Sequence, residues 1–563
     1  VSQPLTFIQS LRNQLAQPHT SAHVCALGIV GGLCAASMII LFRLGIEWFQ
    51  SMLLNSQGDF SNAPFWQRFI MPLVGVFCIL IVAKLTGFKH YRLGIPFVIH
   101  RIKTHFGLIP LRATINQFFG GMFALASGFV VGREGPSVHL GAASSSFLGQ
   151  WLRLPYNSIR ILAGCGIAAG ISASFNTPLA AVIFVMEVVL REYRIHIFVP
   201  VMLAAACGSV MTRIVFGDAH ELYFFSFAAF SQWMYAYLIV FGVALGALAT
   251  LFNRQLMRVM RLFRPVGMVW RLILAALITG TAGLFLPDAM SADFDSVRRL
   301  FDSNPDAILI ALLLVVKMLL AITAIGLGIP GGIIGPVMLI GMLAGALLLS
   351  PLAAWLDIPD YISSFALLGL AGMLTAVLHA PLAALTAVME LSYSPQIIVP
   401  AMFVIVPAYV TSTQFFKNRS VFLQQLDYQK LTYAVNPIRE TLEKVGVLSV
   451  METQFKQFHD APQKAIADYL AEHPTDIVVQ RHSFELAANF KLAQFDTSLD
   501  HDADAIVFVD LAGISAQTTL AEAYDKMKNQ RAGAVYIYDT NPDEVMGVLS
   551  WAQVQKHLHQ GQI

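Results

Sequence analysis

The sequence predicts an all-α polytopic membrane protein of two related halves of broken helices, followed by a small water-soluble α/β domain. Three observations lead there. The 563 residues are 56% hydrophobic and only 12% charged, with a mean hydropathy of +0.65. A soluble domain carries about a quarter charged residues, so a wholly water-soluble chain is excluded. The charge is also uneven: residues before Arg439 hold 26 basic and 16 acidic side chains, and those from Arg439 onward hold 10 basic and 18 acidic. A sparsely charged, net-positive body therefore precedes an acidic tail. Finally, the body repeats itself. Gly128, Gly132, Gly135, Pro136 and Gly141 recur as Gly328, Gly332, Gly335, Pro336 and Gly341, at a constant offset of 200 residues. Pro178–Ala181 with Met186 and Glu187 recur as Pro381–Ala384 with Met389 and Glu390, at an offset of 203. Halves of this kind commonly have opposite topology and enclose a central site.

Taken in order, residues 1–23 are polar and mixed, and read as a cytoplasmic lead-in rather than a signal peptide. Residues 24–430 form the membrane body, with halves at roughly 24–220 and 221–430. Val24–Phe42 and Phe69–Leu85 look like ordinary spans. Beyond them, apolar stretches alternate with Gly, Pro and single charges, and many are too short to cross a bilayer alone. Broken helices persist at membrane depth only where protein buries them or where they line a polar cavity, which is the design of a transport route. The tail, 431–563, alternates short strand-like runs (Ala505–Val509, Ala534–Tyr538, Val545–Leu549) with helical ones (Leu520–Lys528, Trp551–Leu558). A weaker copy precedes it at Gly446–Gln480, with its helix within Val450–Leu470 and a strand at Asp476–Val479. Cys25, Cys34, Cys78, Cys165 and Cys207 lie in apolar stretches without metal-ligand spacing, and read as small core residues.

Three helix starts carry the chemistry. Gly132-Arg133-Glu134-Gly135-Pro136 opens one apolar helix and Gly332-Ile333-Ile334-Gly335-Pro336 opens its repeat partner. Gly94-Ile95-Pro96 opens a third. A helix start leaves backbone N–H groups without partners and carries partial positive charge. Glycine lets an anion approach those amides, and proline tolerates the first turn. Convergence of the three at mid-membrane makes an anion site built from dipoles, from which the ion can also leave.

With those residues in view, the chain resembles the CLC chloride channel and transporter family. The resemblance is carried by GREGP at Gly132–Pro136, GGIIGP at Gly331–Pro336, GIP at Gly94–Pro96 and FNTPLAAVIFVMEV at Phe175–Val188. The tail resembles a pair of cystathionine-β-synthase (CBS) domains. The resemblance implies intertwined helices in two inverted repeats, a homodimer with one anion pathway per subunit, and Glu134 as the gating glutamate. It implies anion contacts, mostly through backbone amides, at Leu93, Gly94, Ile95, Arg133, Gly135, Ile333, Ile334 and Phe422. A carboxylate on the anion route competes with the anion, so acid should neutralise and displace it.

Two hydroxyls of the family pattern are missing. Leu93 stands where a serine precedes GIP, and Phe422 matches the position of a tyrosine that faces the central ion. Weaker central binding is expected. The family's exchangers carry a proton-handling glutamate one residue after the position of Glu187, and here that residue is Val188. The expected function is therefore a chloride channel gated by Glu134, with a proton-coupled chloride exchanger as the alternative and Glu187 as a substitute relay. Another anion transporter or an intramembrane enzyme is a distant alternative. The expected setting is a bacterial inner membrane with both termini cytoplasmic, with chloride, lipid and a second copy as partners and no nucleic acid. No HExxH or GxxxxGK occurs, and Gly170–Ser174 lacks the final glycine of a serine-nucleophile turn. No cofactor is expected in the body. In the tail, an adenine nucleotide at the CBS pair and a ligand-free scaffold both remain open, since the aspartate often found near the position of Gln553 is missing.

Overall fold

The computed structural model describes residues 12–17, 22–54, 60, 62–88, 93–217, 227–228, 230–302, 306–353, 355, 358–431, 437–483, 488–495, 506–528 and 533–560. The boundary expected at 220–221 and most of the N-terminal lead-in lie outside them. Internal contacts divide the chain into two units, one of Cys25–Leu148 with Arg160–Tyr433, the other of Val1–Val24, Gly149–Ile159 and Ala434–Ile563.

The first unit is a helical membrane body. Among the described residues, ten helices are long and apolar enough to cross a bilayer. The two expected spans are Ala22–Leu53 and Phe65–Thr86. The expectation that many of the later stretches are too short is corrected for most of them, although Leu111–Ala126, of 16 residues, stays short. Polar residues that interrupt an apolar run, such as Asn157 and Ser158, are absorbed into longer helices such as Tyr156–Phe175. Of the short apolar helices, Pro178–Leu190 and Pro381–Ser392 remain below spanning length. They are the repeat partners that open on PLAA.

Burial sorts the helices. Tyr156–Phe175 and Pro359–Leu378 are about nine-tenths buried along their apolar windows (94% and 89%), against 33% for Phe65–Thr86 and Met268–Phe285. The former are the protein core; the latter turn apolar sides outward, as lipid-facing helices do. The two most buried helices pack in equivalent ways. Glu134–Trp151 meets Tyr156–Phe175 with Gly141 against the Gly166 carbonyl, and Ile334–Leu349 meets Ile358–Leu378 with Gly341 against the Gly369 carbonyl. Small residues let helix backbones approach in lipid, where apolar burial alone does not drive association. The sequence repeat is thus a packing repeat. Of the cysteines, Cys165 is fully buried, whereas Cys34 is exposed and the other three half-buried. All five are free thiols.

The second unit is α/β. One sheet runs β1 (Phe455–His459), β2 (Ile477–Ser483), β3 (Ala488–Phe495) and β4 (Ile506–Asp510), with β1 parallel to β2 and the later pairs antiparallel. The other runs β5 (Ala512–Ser515), β6 (Ala534–Tyr538) and β7 (Gly547–Ser550), with β5 parallel to β6 and β6 antiparallel to β7. Each parallel pair is bridged by one helix, Gln463–Glu472 or Leu520–Met527. Glu522 caps the second of these by accepting the Thr519 N–H at 3.0 Å. Burial pushes the Glu522 carboxyl up, with that N–H and then Arg439 pulling it back. The Gly149–Ile159 segment belongs to this unit through bonds such as Tyr156 N–H to the Gln517 carbonyl, 2.8 Å.

Candidate functional site

The site grows from two glycine turns. Gly128 and Gly328 sit at φ +83° and +100°, a region costly for any residue with a Cβ. Each stops the helix before it and redirects the chain into a short extended segment. The two segments meet at Gly132 and Gly332, which exchange N–H···O bonds of 2.8 and 2.6 Å in an antiparallel bridge. Equivalent residues of the two halves therefore pair reciprocally, as a local two-fold axis requires. The Gly128 turn is held from outside: the Ser291 N–H donates to its carbonyl at 2.9 Å, and the buried Lys317 Nζ donates to the Ser291 carbonyl at 3.1 Å.

Immediately beyond the bridge the helices Glu134–Trp151 and Ile334–Leu349 begin. Glu134 is the first residue of its helix and only 3% exposed. Its carboxylate folds back between the two starts. A Cβ on Gly132 would collide with Oε2, one on Gly332 would lie 2.6 Å from that atom, and one on Gly335 would lie 2.9 Å from Oε1. The acid thus occupies a glycine-walled cradle where the two positive helix ends converge, a ready-made anion seat. The Arg133 guanidinium stacks over the Phe175 ring, 4.5 Å from its centroid.

A cavity of about 460 Å³ adjoins the cradle. It brings together Leu93, Gly94, Ile95, Gly135, Ile333 and Phe422 from four separate stretches of chain. Arg133 and Ile334 are not on its wall. Phe422, 2% exposed, packs into the core and lines the cavity at once. One expectation is corrected. The Gly94 amide, expected to face an anion, donates to Gln117 Oε1 at 2.9 Å. Gln117, fully buried on the Leu111–Ala126 helix, also lines the cavity. The signal that could have found it is the Asn116-Gln117 pair just ahead of the apolar stretch Phe118–Ala126.

Glu187 and Glu390 are reciprocal caps. Glu187 accepts N–H bonds from Leu382 (3.2 Å) and Ala383 (2.7 Å), at the start of Pro381–Ser392. Glu390 accepts from Leu179 (2.9 Å) and Ala180 (2.7 Å), at the start of Pro178–Phe184. Each carboxylate satisfies orphan donors and complements the dipole of the other half's helix. Val188 is buried on the π-helical turn Val185–Leu190. Replacing Glu187 with Ala leaves two N–H groups without their acceptor and should destabilise the protein by roughly 2–4 kcal/mol. Thermal melting in detergent measures this, and Glu390→Ala should match it. A melting temperature unchanged by either would remove the capping role. Among the described residues no cluster of His, Cys, Asp and Glu is arranged to hold a metal ion.

A paired, glycine-walled anion seat closed by a carboxylate is the arrangement to compare with known proteins. The profile described as voltage gated chloride channel matches residues 74–413. The chain belongs to the voltage-gated chloride channel (CLC) family. A putative chloride channel protein, ClcB-like, of Ralstonia nicotianae is 28% identical over 68% of this chain and 92% of its own. The H+/Cl− exchange transporter ClcA of Citrobacter koseri is 26% identical over 73% of this chain and 90% of its own. The crystal structure of a slow cyanobacterial Cl−/H+ antiporter superposes with a TM-score of 0.62 at 20% identity, over 77% of this chain and 99% of that one. At that identity the likeness speaks for the fold. A CLC-family protein of this architecture is a multi-pass anion transport protein.

Proposed function

We propose that the chain is a proton-coupled chloride exchanger in which anion and proton share one position, that of the Glu134 carboxylate. The observation that carries this reading is the cradle among Gly132, Gly332 and Gly335. Two like charges about 4 Å apart repel by about 4 kcal/mol at an effective dielectric of about 20, so an ionised Glu134 and a chloride exclude each other there. A proton on Glu134 frees the seat. Anion occupancy and protonation are then linked at one place, and that linkage is what exchange requires. The ClcA relative is an H+/Cl− exchange transporter, which supports this reading over the channel expected from Val188.

One observation still favours the channel. Val188 carries no titratable group and Glu187 is engaged as a cap, so protons must reach Glu134 by a water file rather than a carboxylate relay. Whether a chloride gradient moves protons uphill separates the two. We also read the tail as a CBS pair, supported by two modules that each run strand, helix, parallel strand, antiparallel strand. Gln553 Oε1 accepts the Ser550 N–H at 2.8 Å as a helix-start cap, which supports a scaffold over a nucleotide site. The assembly in this reading is a homodimer in a bacterial inner membrane, with both termini cytoplasmic.

A further inference from the structure

Beside the anion cavity lies a second one, of about 510 Å³, whose wall is strongly basic. Arg254, Arg261, Arg264, Lys417, Arg419 and Lys430 line it, with Asp427 as the single carboxylate among the described residues. The cations come from three places. Arg254 and Arg261 lie on the last turns of the helix Gln232–Leu262, with Arg264 just beyond it. Lys417 and Arg419 follow the π-helical turn Thr411–Phe415. Lys430 follows the helix Val421–Tyr428.

A bland account is available: cations gather at helix C-termini, where they complement the dipole, and on the cytoplasmic flank of membrane helices. It accounts for part of the set. Arg254 Nη2 donates to the Phe416 carbonyl at 2.9 Å, and Arg419 pairs with Asp427 at 2.7 Å. It places the rest as well, but leaves them without a counter-charge. Arg261, Arg264, Lys417 and Lys430 have no carboxylate partner among the described residues, yet they face one hollow. Like charges held together around a concavity repel, and they focus a positive field that an anion of several charges relieves. Arginine forks match phosphate oxygens in shape and charge. Around the hollow, Leu262 and Phe415 are exposed apolar side chains, so the site stands where an apolar surface gives way to a charged one. The Arg264 guanidinium lies 5.8 Å from the Tyr428 ring centroid, which leaves its charge uncompensated, and chloride carries too little charge to balance four cations without a carboxylate partner.

We propose that this cavity is a regulatory site for a phosphate-bearing ligand with two or more negative charges, and that its occupancy slows chloride transport. The link to transport is structural: Arg264, Tyr428 and Lys430 line both cavities. A bound polyphosphate neutralises cations that would otherwise concentrate chloride at the mouth of the anion cavity. The phosphate can belong to a free polyphosphate or to a lipid headgroup, and the experiment separates them. The site stands without the exchange reading; only the flux readout uses the transport proposal.

The test uses the full-length protein. Calorimetry in detergent measures binding of inorganic tripolyphosphate, and chloride flux is followed in phosphatidylcholine vesicles with tripolyphosphate on both faces or with phosphatidic acid in the bilayer. Flux is normalised to each variant's own value without phosphate. Wild type should bind or respond to one of the two sources, with binding weakening as salt rises. Arg261→Gln with Lys417→Gln should weaken that response about tenfold, and Arg261→Lys with Lys417→Arg should restore it. A response to tripolyphosphate assigns a free ligand, and a response to phosphatidic acid alone assigns a headgroup. No response to either source at low salt overturns the site. So does a double Gln variant that responds like wild type, or an equal effect of sulfate at matched ionic strength. Binding that leaves flux unchanged overturns the regulatory role.

Discussion

Replacing Glu134 with Gln leaves chloride flux running, abolishes proton coupling and removes most of the pH response. In wild type the carboxylate lies in the glycine cradle and must be neutralised before it yields to chloride. Acid therefore accelerates wild type, because protonation removes a negative competitor from the seat. The amide has the shape of the protonated acid and no charge to titrate. Flux from proteoliposomes across acid and neutral pH reads the effect directly. A Gln variant that keeps the full wild-type pH response would remove Glu134 from the gate. An amide variant that melts like wild type and transports nothing would contradict the account equally, because a neutral seat should conduct.

The second large effect is expected at Gly332. An added Cβ there would lie 2.6 Å from the Gly135 nitrogen, 2.6 Å from Glu134 Oε2 and 3.0 Å from the Gly132 carbonyl oxygen. Two of the three neighbours are backbone atoms of the other half, and they cannot swing aside. Overpacking of this kind costs about 1–3 kcal/mol, and occasionally more. Here the strain falls on the bridge that holds the two helix starts together, so Gly332→Ala should cut chloride flux by at least about tenfold while lowering the melting temperature only by what that strain explains. Gly328→Ala is the control. Its Cβ would meet nothing within 4 Å, and its penalty of about 1–2 kcal/mol comes from the left-handed backbone alone. Equal flux in the two variants would mean that the bridge does not shape the pathway.

The anion seat was legible because backbone geometry leaves a mark in sequence. Only glycine tolerates Gly132 and Gly332 at such close approach, and the same demand in both halves wrote the repeat. Glu187 and Glu390 were visible as repeat partners, but the donors they cap were not, because each finds them about 200 residues away in the other half. Gln117 escaped for a related reason. Its function lies in one hydrogen bond to Gly94, 23 residues distant, and the Asn116-Gln117 pair marks a polar position without naming that partner. The basic cavity joins residues near 254–264 to residues near 417–430, and no linear pattern announces that meeting. In the tail, β6 matched its expected run, whereas β1 and β3 were not foreseen. Phe455–His459 and Ala488–Phe495 interleave Lys, Gln and Asn with their apolar residues, so their strand character depends on the neighbours they pair with rather than on propensity.

The central claim is that one position serves both chloride and the proton. It is tested most directly by the movement of protons in proteoliposomes under a chloride gradient, with the membrane voltage clamped near zero and no initial pH difference. The account predicts that chloride running down its gradient drives protons uphill in the opposite direction, and that Glu134→Ala abolishes the proton movement while chloride still flows. A reversal potential that follows chloride alone, with no uphill protons in the wild-type protein, would contradict it and return the protein to the channel reading that Val188 favours.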